Sequence, residues 1–373
     1  MADWYQPNPH IRTADVLQAL RDSGKPLHEW GRAVDGTPML AARTGGAKQP
    51  AIFITAGAHS TETAGVHAAL NLLSALQTDH EVHILPLRDP MGFGGVAHCL
   101  SQAAGRPVRV GGHDDARDYL QTHAELLWKE ERMQVFSLGD FGFAWHESEP
   151  DGRDFLHLHA RLISLARDKV EALQSLRGKR VFLVCDMAGV EGSDKGQRCW
   201  QGVLSQEGEW LHLNRFFGSS NAPDEVRAVD SLLEIVRPGL TCDLHESAKG
   251  NAFWMPIPRP AQGAERVFNM VSAYFDYVNS RGYPVMSYDT WVELERQHDR
   301  GYTSDWIQPE PRLPGLFWID GLRRREGANL MDQAGLYGIG FGTEAPTHQP
   351  LAMRVDAITG GIMAAIKVWE ETG

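Results

Sequence analysis

Short apolar runs that end at a turn or an ionisable residue alternate, along most of this chain, with stretches of helical periodicity, and that alternation limits the fold more than any other feature. Pro50 to Ala56 is strand-like, Gly57-Ala58 forms a tight turn, and Thr61 to Leu76 carries Val66, Leu70, Leu73 and Leu76 at helical spacing. Val82 to Leu87, Val181 to Cys185, Leu240 to Leu244 and Tyr337 to Thr343 read as further strands. Helices are expected over Thr13 to Ser23 and over Ala264 to Ser280, the second stopped by Gly282. Strands interleaved with helices predict an α/β layered fold with a largely parallel sheet.

Two stretches break the rhythm. Between about Cys99 and Gly178 the helix candidates Asp114 to Val135 and Phe155 to Leu176 are joined by Gly139-Asp140-Phe141-Gly142-Phe143-Ala144-Trp145. We expect a mainly helical insertion at about 99–178, not a second sheet, within one domain spanning 1–373. The Trp- and Pro-studded run from Trp306 to Trp318 has no period and suits a loop that shapes a pocket. The 36 Lys and Arg against 48 Asp and Glu give a charge of −12, which argues against nucleic acid or an anionic membrane as the main partner. The first residues, Met1 to Pro7, lack a basic and an apolar segment, and no run approaches the roughly 18 to 20 apolar residues of a membrane span. A cytoplasmic location is the expectation. Cys99, Cys185, Cys199 and Cys242 are widely spaced, with no Cys-x-x-Cys pair, so they imply neither a disulfide framework nor a cysteine metal site.

Chemistry concentrates where the apolar runs end. The strand closing at Gly57-Ala58 delivers His59-Ser60-Thr61-Glu62, and residues three apart in a first helical turn share a face, so an imidazole and a carboxylate can meet at one metal ion. Alone the pair is weak, because a helix cap followed by a surface carboxylate would give the same letters. Cys242-Asp243-Leu244-His245-Glu246 strengthens it by ending a second strand in a histidine, and functional groups of α/β sheets gather at the carboxyl ends of strands. Two histidines and one carboxylate with a fourth position open is a hydrolytic zinc ligand set. Asp243 or Glu246 can support an imidazole by hydrogen bonding. Glu344 follows the apolar run Tyr337 to Thr343, where an unpaired buried carboxylate would be costly and a general base beside metal-bound water gives it a purpose. Asn214 and Arg215 sit between apolar neighbours, and Arg198 precedes them; arginine suits a bidentate grip on a carboxylate and the stabilising of an oxyanion.

Taken in order, these segments resemble the zinc carboxypeptidase family, the carboxypeptidase A-like metallopeptidases. Gly31-Arg32-Ala33-Val34-Asp35-Gly36 is similar to the family's Gly-Arg-Ser-x-x-Gly, Gly57-Ala58-His59-Ser60-Thr61-Glu62 to its Gly-x-His-x-x-Glu, and Leu213-Asn214-Arg215 to its Asn-Arg clamp. Asp243-Leu244-His245 is similar to the segment of its third ligand, Phe341-Gly342-Thr343-Glu344 to that of its catalytic glutamate, and Leu87 to Gly92 to a degraded Asn-Pro-Asp-Gly loop. The departures are informative. His212 stands where the family has the Asp of Asp-x-Asn-Arg, so that support for a ligating imidazole is missing or supplied elsewhere, and the short run from Asn214 to His245 resembles the desuccinylase and aspartoacylase branch. Tyr302 and Tyr337 are the candidates for the family's tyrosine.

The resemblance implies a mixed, largely parallel central sheet with helices on both faces, and one Zn2+ per chain held by His59, Glu62 and His245. It implies Glu344 as general base, Arg198 as the group that polarises the carbonyl, with Arg88 as its substitute, and Asn214 and Arg215 as the grip on a terminal carboxylate. The implied activity is hydrolysis of a peptide or peptide-like amide next to a free C-terminal carboxylate. The alternatives are a zinc amidohydrolase acting on N-acyl amino acids or other small amides, and a relative that binds metal or ligand without turnover.

Overall fold

The computed structural model describes residues 7–147, 154–168, 171–187, 190–193, 198–248, 250–260, 263–297, 307–319 and 328–372. Helix α1 (Thr13–Asp22) leads into a hairpin of β1 (Leu27–Arg32) and β2 (Pro38–Gly45), whose reversal is made by the turn formers around Gly36. Strand β3 (Lys48–Ala56), helix α2 (Thr63–Ala75) and β4 (His80–Leu85) then form a parallel βαβ unit. Every residue of α2 from Thr63 to Leu73 is buried, so this helix is held by core packing on all sides.

After the short helices α3 (Pro90–Phe93), α4 (Val96–Ala104) and α5 (His113–His123) the chain departs from expectation. The segment read as one helix over Asp114 to Val135 is α5 followed by β5 (Glu125–Lys129) and β6 (Met133–Leu138), and Gly139-Asp140 turns β6 into β7 (Phe141–His146). Helix α6 (Asp154–Asp168) returns the chain to β8 (Arg180–Val184), parallel to β7, and β9 (Trp200–Leu204) and β10 (Trp210–His212) follow. The inserted stretch therefore builds most of a second six-stranded sheet, ordered β10-β9-β8-β7-β6-β5. Alternating inward residues explain it: Met133 and Val135 on β6 and Val181 and Leu183 on β8 form one core with Leu158, Leu162 and Leu165 of α6.

Helix α7 (Asp224–Val236) precedes the central strand β11 (Leu240–Ser247). A three-stranded sheet of β12 (Met255–Pro258), β13 (Ile307–Pro309) and β14 (Leu316–Ile319) surrounds α8 (Ala264–Ser280) and α9 (Tyr288–Gln297) in sequence. Helix α10 (Leu330–Ala334), strand β15 (Ile339–Pro346) and helix α11 (Leu351–Glu371) complete the fold. The main sheet runs β1-β2-β4-β3-β11-β15, with β4, β3, β11 and β15 mutually parallel and β1 and β2 antiparallel. It is the expected α/β architecture, a mixed sheet with helices on both faces: α2, α8 and α11 share the core on one side, and α7 packs with Phe53, Leu85 and Ala41 on the other. Among the described residues no helix is long and apolar enough to cross a membrane.

Candidate metal centre and its surroundings

Because β3 and β11 are parallel neighbours, their carboxyl ends bring His59 and His245 side by side, with ring centroids 5.0 Å apart. Gly57 makes the turn out of β3: its φ is +61°, and a side chain there would meet Leu87 at 3.0 Å. Glu62 arrives through a reverse turn in which its N–H donates to the His59 carbonyl (3.1 Å). The sequence spacing suggested a shared first helical turn; in fact Glu62 caps α2, which begins at Thr63. Ser60 Oγ, bonded to the Cys199 carbonyl at 2.7 Å, pins this turn to the second sheet.

The Glu62 carboxylate lies between the two imidazoles, Oε1 2.7 Å from His59 Nδ1 and Oε2 2.8 Å from His245 Nδ1. One ligand atom from each of the three residues lies within 4.8 Å of the others, so the cluster is able to hold a metal ion. Two imidazole nitrogens and a carboxylate oxygen, with both remaining ring nitrogens turned outward to partners, match the chemistry of a divalent zinc-type site. Burial alone would raise the Glu62 carboxyl, but the His59 and His245 rings bring it down to about 2. Burial opposes a charge on His245, yet Asp243 and Glu62 hold that imidazole well above the usual histidine range.

Each ring is anchored on its far side. His245 Nε2 meets Asp243 Oδ2 at 2.7 Å, and Asp243, with no exposed surface, accepts from Arg88 Nη2 at 2.5 Å. Burial would raise Asp243, but Arg88 and His245 bring it to about 2. Residues 243 and 245 share a face of β11, which is why an Asp-x-His spacing within a strand allows this contact. Glu246 points the opposite way, to Arg354 and to the Ala64 N–H (2.6 Å), tying α2 and α11 to β11; it has no place in the metal cluster. His59 Nε2 meets His212 Nδ1 at 2.9 Å, so the position where an aspartate was expected does carry a partner, an imidazole.

The remaining expected residues fall differently. Glu344 pairs with His245 in the β11–β15 ladder and so projects from the face that carries His245 and Asp243. Asn214 is absorbed by the support of the centre: Oδ1 accepts from Arg88 Nη1 (3.3 Å) and the Leu330 N–H (3.1 Å), while Nδ2 lies 3.2 Å from His245 Nε2 and 3.5 Å from Asp243 Oδ2. These contacts tie Asn214 to Arg88, Leu330 and Asp243. Arg198 packs against α3 and the N-terminal segment. Its guanidinium donates to the carbonyls of Phe93 (3.1 Å) and Ile11 and stacks on the Phe93 ring at 4.0 Å, anchoring the N-terminal segment. Burial lowers it to about 10. Arg88 is engaged under Asp243 and Asn214. Arg215, half-buried, donates from Nη1 to the Asn214 carbonyl at 2.8 Å. Tyr337 lies under the Arg237 guanidinium (5.6 Å), and Tyr302 falls outside the described residues.

Sequence reasoning missed Arg88 as the anchor of Asp243 and the aromatic wall beside His59, where Trp200 stands edge-on at 4.7 Å. Nothing local marks either, since both are delivered across the fold.

No family model matches the sequence, and no curated protein matches it. Solved structures with a similar chain path exist. A candidate metallopeptidase from Shewanella denitrificans OS217 is 11% identical, with 97% of each chain covered and a TM-score of 0.49. Another from Shewanella amazonensis SB2B is 14% identical over 96% of this chain and 91% of that one, with a TM-score of 0.47. A metallo-carboxypeptidase from Burkholderia cenocepacia is 12% identical over 96% of this chain and 68% of that one, again at 0.47. These likenesses concern the path of the chain and assign no residue a role.

Proposed function

We propose that this chain is a zinc-dependent hydrolase that cuts a peptide or peptide-like amide bond beside a free carboxylate. The observation that carries the reading is the convergence of His59, Glu62 and His245 at the carboxyl ends of adjacent parallel strands, with Glu344 next to His245 in the ladder. A zinc ion held by those three residues supplies Lewis acidity, polarising a carbonyl and acidifying water toward neutral pH. Glu344 takes a proton from the attacking water and returns it to the leaving amine. Asp243 and His212 keep the two imidazoles oriented, and Arg88 and Asn214 hold Asp243 in turn. Arg215 is left as the cationic fork for the substrate's carboxylate.

One observation favours a second reading, a zinc amidohydrolase acting on N-acyl amino acids. With the Asn214 amide nitrogen turned toward Asp243 (3.5 Å), Arg215 carries more of the hold on a terminal carboxylate, a looser grip that suits a small acylated amino acid as well as a peptide. Turnover by the zinc-loaded protein across C-terminally free peptides, their amides and N-acyl amino acids separates the two. In the same assay Glu344→Gln should keep its metal and lose about a hundredfold or more in kcat, the usual worth of general-base assistance. Absence of turnover on every class, or near-normal turnover by Glu344→Gln, would overturn the reading.

A further inference from the structure

The outer strands of the two large sheets are β1, β15, β10 and β5, and three of them are occupied. Trp254 bridges the outer side of β15, its N–H and carbonyl bonding Glu344 at 3.2 and 2.9 Å. On β1 the charges answer each other, Arg32 to Glu29 at 2.8 Å, and Gly31 lies so close to Ala228 of α7 that a Cβ would meet it at 3.0 Å. Strand β10 runs directly into Leu213 and Asn214 beside the candidate metal centre. Strand β5 differs. It is hydrogen-bonded to β6 alone, and among the described residues no backbone group outside β6 meets Glu125 to Lys129.

The side chains of β5 suit that open edge. Glu125 and Lys129, at the two ends of this five-residue strand, are both exposed, and neither has an ion pair or hydrogen bond among the described residues. Leu126 is 50% exposed, while Leu127 and Trp128 rest partly buried on the core beneath α6. Leu127 is the extra residue of a bulge, with no partner in β6. An exposed apolar edge without proline is a template for pairing with another strand. The charges select which strand. An antiparallel copy of β5 centred on Leu127 sets Glu125 opposite Lys129 twice, Leu126 opposite Trp128 twice, and Leu127 opposite itself. An in-register parallel copy would oppose like charges at both ends.

We propose that β5 is the contact surface for a second copy of this chain, the two six-stranded sheets joining across a two-fold axis at Leu127. The candidate metal centre adjoins β9 and β10, at the far edge of the sheet, so pairing leaves it open. The inference stands apart from the hydrolase reading. A ladder of five residues makes a small interface, so the dimer is reversible, with a Kd of roughly micromolar order.

Sedimentation equilibrium of the full chain, over concentrations that bracket that Kd, tests the surface. The parent should show a monomer–dimer equilibrium. Glu125→Lys and Lys129→Glu each set like charges opposite one another at both ends of the ladder, and each should weaken the dimer by about tenfold or more. Mixed in equal amounts, the two variants oppose unlike charges again at both ends and should associate about as tightly as the parent, as should the doubly exchanged Glu125→Lys, Lys129→Glu chain. A parent that stays monomeric, single variants that dimerise like the parent, or a mixture no tighter than either variant alone would each overturn the proposal.

Discussion

The candidate site residues were legible because each follows an apolar run: His59 follows Ala56 through a turn, His245 follows the run that closes at Leu244, and Glu344 comes sixth in β15. What the sequence could not disclose is which groups support them. Arg88 reaches Asp243 across 155 positions, and His59 reaches His212 across 153. Contacts of that range arise from strand order, which no local pattern encodes. The same contacts tie Asn214 into that support, and Arg215 has the sharper test. If Arg215 grips a carboxylate, Arg215→Met should lower kcat/KM on free acids by roughly tenfold to more than a hundredfold, from the 1.5 to 3 kcal/mol of a charged hydrogen bond, and should spare the C-terminal amides. Steady-state kinetics on matched pairs decides it, and equal slowing of acids and amides would make the arginine structural.

Among the elements, β3, β11, β15 and α8 were read close to their observed bounds, since burial on both faces of a strand, or a continuous amphipathic stripe, leaves a strong local pattern. The segment Glu125 to Leu138 was misread because Glu130-Glu131-Arg132, which reverses β5 into β6, contains neither Gly nor Pro; pairing with β7 decides its form. Pro256, Pro258 and Pro309 hid the three-stranded sheet, and all three lie on its edge strands, where a missing N–H is tolerated.

The short helix α3 carries a testable strain of another kind. Asp89 caps it by accepting from the Gly92 N–H (2.8 Å), and also accepts from Gln201, yet complete burial pushes its carboxyl up to about 8 despite those bonds. Gly92 is required there, because a Cβ would come within 2.4 Å of Asp89 Oδ2. The unfolded carboxyl titrates near 3.9, so the fold favours the acid form. Stability from this group is complete below about pH 4 and is lost progressively as the pH rises to about 8. Asn retains the cap without the charge. The stability of Asp89→Asn relative to the parent should therefore climb from pH 5 to pH 8 and level off above it, as urea unfolding at pH 5, 7 and 9 would show; parallel profiles would contradict the account.

At the scale of the whole molecule the candidate metal centre lies at a junction between two sheets. The main sheet supplies His59, Glu62, His245 and Glu344, and the second sheet, through β9 and β10, supplies Trp200 and His212 against them. The α/β class followed from the alternation of strands and helices, whereas the second sheet did not, because a strand can be recognised locally but its partner cannot. An ion bound at this junction should stabilise both sheets by mass action, about 2.7 kcal/mol at a free concentration one hundred times Kd.

The central claim, that His59, Glu62 and His245 together hold one metal ion, is tested most directly by elemental analysis after equilibrium dialysis against zinc, on the parent chain and on His245→Ala. We expect one zinc per parent chain and well under a tenth of that in the variant. Equal zinc in the two, or none in the parent, would contradict the site.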